Sequence, residues 1–235
     1  QYEDEGHPLI SLKWEAAALQ QITVELQFRT AVLDAAAAQE PLLDALLEGT
    51  DLQLSDKGPG GKPLLYGALH MPEVLQKLLK HGLNVNQANP EDQTTPLIYA
   101  LRNGLDEAVE LLLQGNADPN FTASGAEGPG PSPLMQAAGS RKWAGRLLEQ
   151  GARIDAVDPE GRTALMHAVE KQEAEVVQLL LERGADIAVV AKSGMTAVGL
   201  VTRRAQLGSY GFRGQRDEKL EKLKELLTQH RGVQW

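Results

Sequence analysis

The chain contains 235 residues, of which 42% are hydrophobic and only 4% aromatic, and it carries a formal net charge of −9. It has no cysteine, which excludes disulfide bonds and thiolate metal sites, and it has no apolar run of about 18 residues, so the sequence predicts no membrane-spanning helix. Residues 1–56 hold 11 acidic and 2 basic side chains, whereas residues 57–235 hold 21 of each.

This uneven charge limits the class of partner. An acidic end repels nucleic acid and anionic membranes, and at short range it attracts a basic protein. The alternative interpretation is a face that only keeps one end of the molecule in solution. Either way, we predict neither nucleic-acid binding nor membrane insertion.

The first residue is Gln1 and not Met, and two interpretations of this start stay open. One is a cleaved secretory signal, which fits the periplasm, and the other is an artificial truncation. The expected location is the periplasm, with the cytoplasm as the alternative.

The first predicted elements are helical. Residues 1–30 form an acidic segment with a capping helix at about residues 8–29, because Leu12, Ala16 and Leu19 lie on one helical stripe. Residues 31–61 contain two short apolar stretches, at 31–35 and 42–47, that fit the two helices of a degenerate first unit. These segments are expected to close one end of the molecule.

A phrase then recurs along the chain. It starts at Pro63, Pro96, Pro133 and Ala164, with spacings of 33, 37 and 31 residues, and it defines clear repeats at 62–94, 95–131, 132–162 and 163–195. A Thr or Ser before most of these positions predicts a helix N-cap. Each repeat also contains a predicted helix stop, where Gly or Asn tolerates the left-handed conformation: Gly82, Asn116, Gly151 and Gly184. Residues 196–235 form a C-terminal capping unit.

These recurring residues resemble the ankyrin-repeat family, whose unit is a turn followed by two antiparallel helices. The resemblance covers roughly residues 31–230 and implies an all-α solenoid of about six helix-turn-helix units, with residues 31–235 as one repeat domain. One departure concerns the His that usually follows Thr-Pro-Leu in this family. Here the position holds other residues, for which we expect apolar packing: Leu65, Ile98, Met135, Met166 and Gly199.

No motif predicts catalysis, a cofactor or a metal. The five histidines lack metal-ligand spacing, and Gly58–Lys62 lacks the order of a phosphate-binding loop. The carboxylates Asp155, Asp158 and Glu160 are close in sequence, but we expect them to be solvated residues at an exposed turn. The sequence therefore predicts a protein that is not an enzyme.

The family resemblance implies protein binding through the turn tips and the first helices. The tips are 89–93, 121–132, 158–162 and 191–194, of which 121–132 is longer and rich in Gly and Pro. This long turn is expected to reach toward a partner, or else to be a tolerated insertion. The candidate partner-binding residues are Tyr66, Glu91, Asp92, Tyr99, Phe121, Glu127, Gln136, Asp158, Glu160, Arg162, His167 and Lys192. Tyr66 and Tyr99 either belong to an exposed strip or cover the neighbouring unit.

Two binding functions are predicted. The first is an immunity protein that binds and neutralises a bacterial toxin or effector, for example a secreted lipase. The alternative is an adaptor or regulatory scaffold that links protein partners without inhibiting them. In both cases the free protein is expected to be a monomer.

Overall fold

The computed structural model describes residues 64–80, 82–89, 93–122, 124–125, 128–208 and 218–231. The capping helix predicted at 8–29 and the first unit predicted at 31–61 lie outside these residues, and the boundaries of those units stay predictions. The helices are α1 Leu64–Ala68, α2 Pro72–Lys80, α3 Pro96–Arg102, α4 Asp106–Gln114, α5 Pro133–Gln136, α6 Arg141–Glu149, α7 Ala164–Lys171, α8 Ala174–Glu182, α9 Ala197–Gly208 and α10 Glu218–Arg231.

The helices form two layers, as the all-α solenoid prediction requires. Each odd-numbered helix packs against the even-numbered helix that follows it, and α3, α5, α7 and α9 also pack against one another in that order. In the second layer α2 contacts α4, and α6, α8 and α10 follow one another. Ala100, Ala138 and Ala168 are fully buried between the layers, where their small side chains let neighbouring helices approach closely. One continuous apolar core therefore runs along the stack.

The predicted N-caps are present. Thr95 and Thr163 are extended, and their hydroxyl oxygens accept hydrogen bonds from the backbone N–H groups of Ile98 at 3.2 Å and Met166 at 3.4 Å. Ser132 does the same for Met135 at 3.3 Å. These bonds satisfy N–H groups that the first turn of a helix leaves unpaired.

Five residues occupy the repeat position that usually holds His, and four of them are packed in the apolar core. Leu65, Ile98, Met135 and Met166 are each at most 3% exposed. At Met135 the sulfur also accepts a hydrogen bond from the backbone N–H of Ser132 at 3.4 Å. The expected replacement of hydrogen bonding by packing is therefore observed at these residues.

The predicted helix stops adopt the left-handed conformation. Gly82, Gly151 and Gly184 have φ values of 83°, 85° and 85°, and Asn116 has a φ of 62° at the equivalent place. The backbone N–H groups around Asn116 return to the end of α4, with Ala117 donating to the carbonyl of Leu112 at 2.9 Å. The chain needs this conformation to leave the second helix of each unit and start the next turn.

A substitution series at Asn116 tests this requirement. Asn116→Ala should lower the free energy of unfolding by about 1 kcal/mol, because the short polar side chain of Asn can hydrogen-bond locally in the left-handed region and the methyl group of Ala cannot. Asn116→Gly should stay within about 0.5 kcal/mol of wild type, because Gly adopts this conformation without that penalty. Denaturant unfolding measures both values. Arg102→Ala at an exposed helical position is the control, and an equal loss in both Ala variants would contradict the explanation.

Side-chain oxygens connect successive turns. Asn86, Asn120 and Asp155 occupy the same place in three repeats, and each accepts a hydrogen bond through Oδ1 from a backbone N–H of the next repeat. The donors are Asp118 at 2.9 Å, Arg153 at 2.7 Å and Asp186 at 2.9 Å, respectively. The turns of neighbouring units are thus fixed relative to one another.

Polar contacts also join the second helices. The indole Nε1 of Trp143 on α6 donates to Oδ1 of Asp106 on α4 at 2.6 Å, and Arg146 pairs with Glu110 at 3.0 Å. Trp143 is 4% exposed, so its ring fills the space between the two helices while its N–H reaches a carboxylate.

The long turn and the last unit complete the described fold. The long turn contains a two-residue antiparallel ladder between β1 Ser124–Gly125 and β2 Gly128–Pro129. In the last unit, Leu220, Leu223 and Leu227 of α10 are buried. None of the described helices combines the length and the apolar character needed to cross a membrane.

Candidate protein-binding groove

An open groove of about 720 Å³ spans three successive units, namely the repeats at 132–162 and 163–195 and the last unit. One wall comes from the turn at residues 158–162, which we call finger A, and the other from the turn at residues 191–194, which we call finger B. Glu170 of α7, Leu200 and Arg203 of α9, and Met195, which follows finger B, supply the rest. The lining consists of Pro159, Glu160, Arg162, Glu170, Lys192, Ser193, Met195, Leu200 and Arg203.

The two fingers are built in the same way. In finger A the backbone N–H of Asp158 donates to the carbonyl of Arg162 at 3.0 Å, and in finger B that of Ala191 donates to Met195 at 2.9 Å. Gly161 and Gly194 both have a φ of 76°. The N–H of Lys192 then donates to the carbonyl of Glu160 at 2.8 Å, which joins the fingers. A Cβ at Gly161 would lie only 3.1 Å from the nitrogen of Lys192, so this close approach needs glycine.

Asp158 is not the solvated turn residue that the sequence suggested. It is 4% exposed, because its carboxylate points away from solvent and accepts hydrogen bonds from other residues of finger A. Its Oδ1 accepts from the backbone N–H groups of Glu160 at 3.0 Å and Arg162 at 2.8 Å. Its Oδ2 lies 2.9 Å from Nε2 of His167 and 2.9 Å from the guanidinium of Arg162. An ionised carboxylate only accepts, so His167 donates from Nε2.

These contacts decide the charge of Asp158. Burial raises the pKa of its carboxyl group, but the backbone N–H of Arg162, the His167 side chain and the Arg162 guanidinium lower it by more, so the pKa lies below its usual value of 3.8. The same pairing overcomes burial at Arg162 and raises the pKa of that guanidinium. Asp158 is therefore a structural anion that holds finger A, and its prediction as an exposed partner-binding residue is wrong.

The pH dependence of stability tests this role. A lowered pKa in the folded state means that Asp158 stabilises the fold fully above its unfolded pKa near 3.8, and that this contribution disappears as the pH falls through the folded value. Asp158→Asn should therefore lower the free energy of unfolding at pH 7 by about 2 kcal/mol. Denaturant unfolding should show this gap closing in acid below the unfolded pKa. Glu175→Gln on α8 is the exposed control, and a gap of constant size across the acid range would contradict the assignment.

Arg162 is the centre of a charged cluster on one side of the groove. Besides Asp158, it lies 3.5 Å from the carboxylate of Glu160 and 3.4 Å from that of Glu170. The Glu160 side chain is 61% exposed and that of Arg162 is 33% exposed. The predicted residues Glu160 and Arg162 thus both lie at the groove, with Glu160 presented to solvent and Arg162 held by three carboxylates.

The other side of the groove carries cations. Lys192 on finger B and Arg203 on α9 are both exposed, and neither forms an ion pair with any residue that the structure describes. The adjacent Arg204 is directed elsewhere, since its guanidinium donates to the carbonyl of Glu170 at 3.3 Å. Lys192 lies at the groove as an exposed side chain, and its role in partner binding stays a prediction. Arg203 is a groove residue that the sequence did not predict.

The predicted strip along the first helices is only partly exposed. Tyr66 is 7% exposed, its hydroxyl donates to the carbonyl of Thr94, and its ring contacts Tyr99 of the next unit. Of the two alternatives for Tyr66, covering the neighbouring unit is therefore observed, and the exposed anchor is wrong. Tyr99 is half-buried, with its ring edge-on to that of Tyr66 at 5.7 Å. Gln136 and His167 are also half-buried, and the imidazole of His167 is used by Asp158.

The long turn contributes one described candidate. Phe121 is 36% exposed at its start. The candidates Glu91, Asp92 and Glu127 lie outside the described residues. Among the described residues, no group of three or more His, Asp or Glu side chains lies close enough to hold a metal ion.

The missed groove residues do carry a sequence signal. Glu170 and Arg203 are 33 residues apart, and so are His167 and Leu200, which means that each pair occupies one position of the repeat. The first-helix position that holds Tyr66, Tyr99, Gln136 and His167 in the clear repeats holds Leu200 in the last unit, and the position one turn later holds Arg203.

The chain belongs to the ankyrin-repeat family. A family model described as "Ankyrin repeats (3 copies)" matches residues 33–123 and 121–191, and repeats of this family are protein-binding modules. Ankyrin repeat and SOCS box protein 6 of Homo sapiens is 32% identical over 155 residues, which are 60% of this chain and 35% of that protein. The chain thus spans about a third of the length of this relative.

Two solved bacterial structures share the fold. An ankyrin repeat domain from Acinetobacter baumannii matches with a TM-score of 0.69 and 22% identity, over 86% of this chain and 97% of that one. A chain in the structure of a predatory endopeptidase from Bdellovibrio bacteriovorus in complex with an immunity protein matches with a TM-score of 0.64 and 22% identity, over 83% and 97%. At this identity the similarity establishes the fold.

Proposed function

We propose that this chain binds a partner protein through the groove and neutralises it, as an immunity protein does for a bacterial toxin or effector such as a secreted lipase. The observation that carries the proposal is the groove itself, where exposed charged side chains from three successive units surround half-buried apolar ones. A concave surface of this kind offers many side chains to another macromolecule at once.

The groove is also held in shape before a partner arrives. The backbone bond from Lys192 to Glu160 and the buried Asp158 cluster fix finger A and finger B. A surface that is already ordered loses little conformational entropy on binding, so more of its contact energy contributes to affinity. Tight, long-lived binding is what neutralisation of a toxin requires.

The comparison with the Bdellovibrio complex supports the inhibitory form of the proposal. The matched chain of that complex is aligned over 97% of its length, so the resemblance in fold extends to the whole of that chain. The human relative favours the alternative, an adaptor, since its name joins ankyrin repeats to a SOCS box. Binding alone does not separate the two functions, but the activity of the bound partner does.

The periplasm stays a prediction, which cell fractionation of the native host tests.

Co-expression with the product of the neighbouring gene tests the function. If that product is a toxin, wild-type chain should restore growth of a host that produces it and should abolish its activity in solution. The double variant Glu160→Ala and Lys192→Ala should weaken binding about tenfold by calorimetry, because it removes two exposed side chains at the mouth of the groove.

The matched control is Glu175→Ala and Arg183→Ala, which removes one acid and one base from exposed positions on α8 and the residue after it. This control should keep wild-type affinity and growth. A complex in which the partner remains fully active would support the adaptor instead. Equal loss of affinity in both double variants would exclude the groove as the interface.

A further inference from the structure

We infer that the groove recognises an acidic segment of the partner that also carries an apolar side chain, with its carboxylates directed at Lys192 and Arg203. This inference rests on the proposed function, because it takes the groove as the binding surface. It adds the chemistry of the partner segment, which follows from which charged side chains of the groove already form ion pairs and which do not.

The acidic side chains of the groove are occupied. Glu160 and Glu170 both face the guanidinium of Arg162, at 3.5 and 3.4 Å, and the same guanidinium is bonded to the buried Asp158. A basic segment of a partner would have to compete with Arg162 for these carboxylates. The charged cluster therefore offers little to a cationic partner.

The basic side chains on the opposite side are available. Lys192 and Arg203 are exposed, line the same groove and have no ion pair among the residues that the structure describes. A carboxylate placed between them would form new ion pairs without breaking an existing one. A partner that complements the groove therefore carries negative charge where it faces finger B.

The apolar part of the groove lies beside these cations. Met195 and Leu200 are half-buried and line the groove next to Lys192 and Arg203. An apolar side chain on the incoming segment would bury surface against them, which contributes more to affinity than exposed ion pairs do. The occupant that fits is therefore an acidic residue with an apolar neighbour.

The same charges disfavour a nucleic acid. Binding of a phosphate backbone depends on many cations, and here two available cations lie near the carboxylates of Glu160 and Glu170. Residues 57–235 hold 21 acidic and 21 basic side chains, so no broad basic field surrounds the groove. The attraction is local and suits a short peptide segment.

Selection of displayed random peptides on the intact chain tests the inference. The selected peptides should be enriched in Asp or Glu next to Leu, Ile or Phe. A synthetic peptide of the enriched sequence should bind about tenfold more weakly to the double variant Lys192→Glu and Arg203→Glu, because two attractive pairs become repulsive.

Two control variants separate charge from folding. Lys219→Glu and Arg183→Glu make the same charge changes at exposed positions outside the groove and should keep wild-type affinity. Lys192→Arg and Arg203→Lys keep both charges in the groove and should keep most of the affinity. Circular dichroism melting of each variant shows whether its fold is intact.

Four results would overturn the inference. The selection could yield peptides without acidic enrichment, or it could yield no peptide. The peptide could bind equally well to the charge-reversed groove, or single-stranded DNA could bind as tightly as the peptide. If the growth assay still depends on Glu160 and Lys192, none of these results contradicts the proposed function. If the growth assay no longer depends on them while acidic peptides still bind, only the proposed function is contradicted.

Discussion

Each pair of helices in this chain has apolar residues on both of its sides, and only the neighbouring pairs cover them. The helices are short, and the fully buried Ala100, Ala138 and Ala168 allow them to pack closely in two layers. Stability then depends on contacts between neighbours more than on any single unit. The groove depends on the same stacking, because its two walls belong to successive repeats and exist only when those repeats are in contact.

Polar contacts between repeats set the position of the groove within this stack. Asn120 and Asp155 accept backbone hydrogen bonds from the following repeat, and the N–H of Lys192 binds the carbonyl of Glu160. The buried Asp158 adds a centre that four donors surround in finger A. This centre also uses the guanidinium of Arg162, whereas Lys192 and Arg203 form no ion pair with the residues that the structure describes.

Local chemistry was predictable from the sequence because it involves residues close together in the chain. The caps at Thr95, Ser132 and Thr163 and the left-handed Asn116 follow from backbone groups that each helix end leaves unpaired. The repeated phrase also predicted the family, which the match over residues 33–191 confirms. The candidate site was less predictable, because burial at a turn depends on what another segment places above it. Asp158 was expected in solvent, yet His167 and Arg162 enclose it.

By itself, the sequence determined the helix starts and stops, the repeat period and the all-α architecture, since these depend on local backbone conformation and on apolar spacing along one segment. The tertiary structure alone decided that Tyr66 is covered, that Asp158 is an internal anion and that Glu170, Leu200 and Arg203 share a groove with Lys192. The physical reason is that exposure and ion pairing depend on the distance between side chains of different repeats, and repeat spacing alone does not fix those distances.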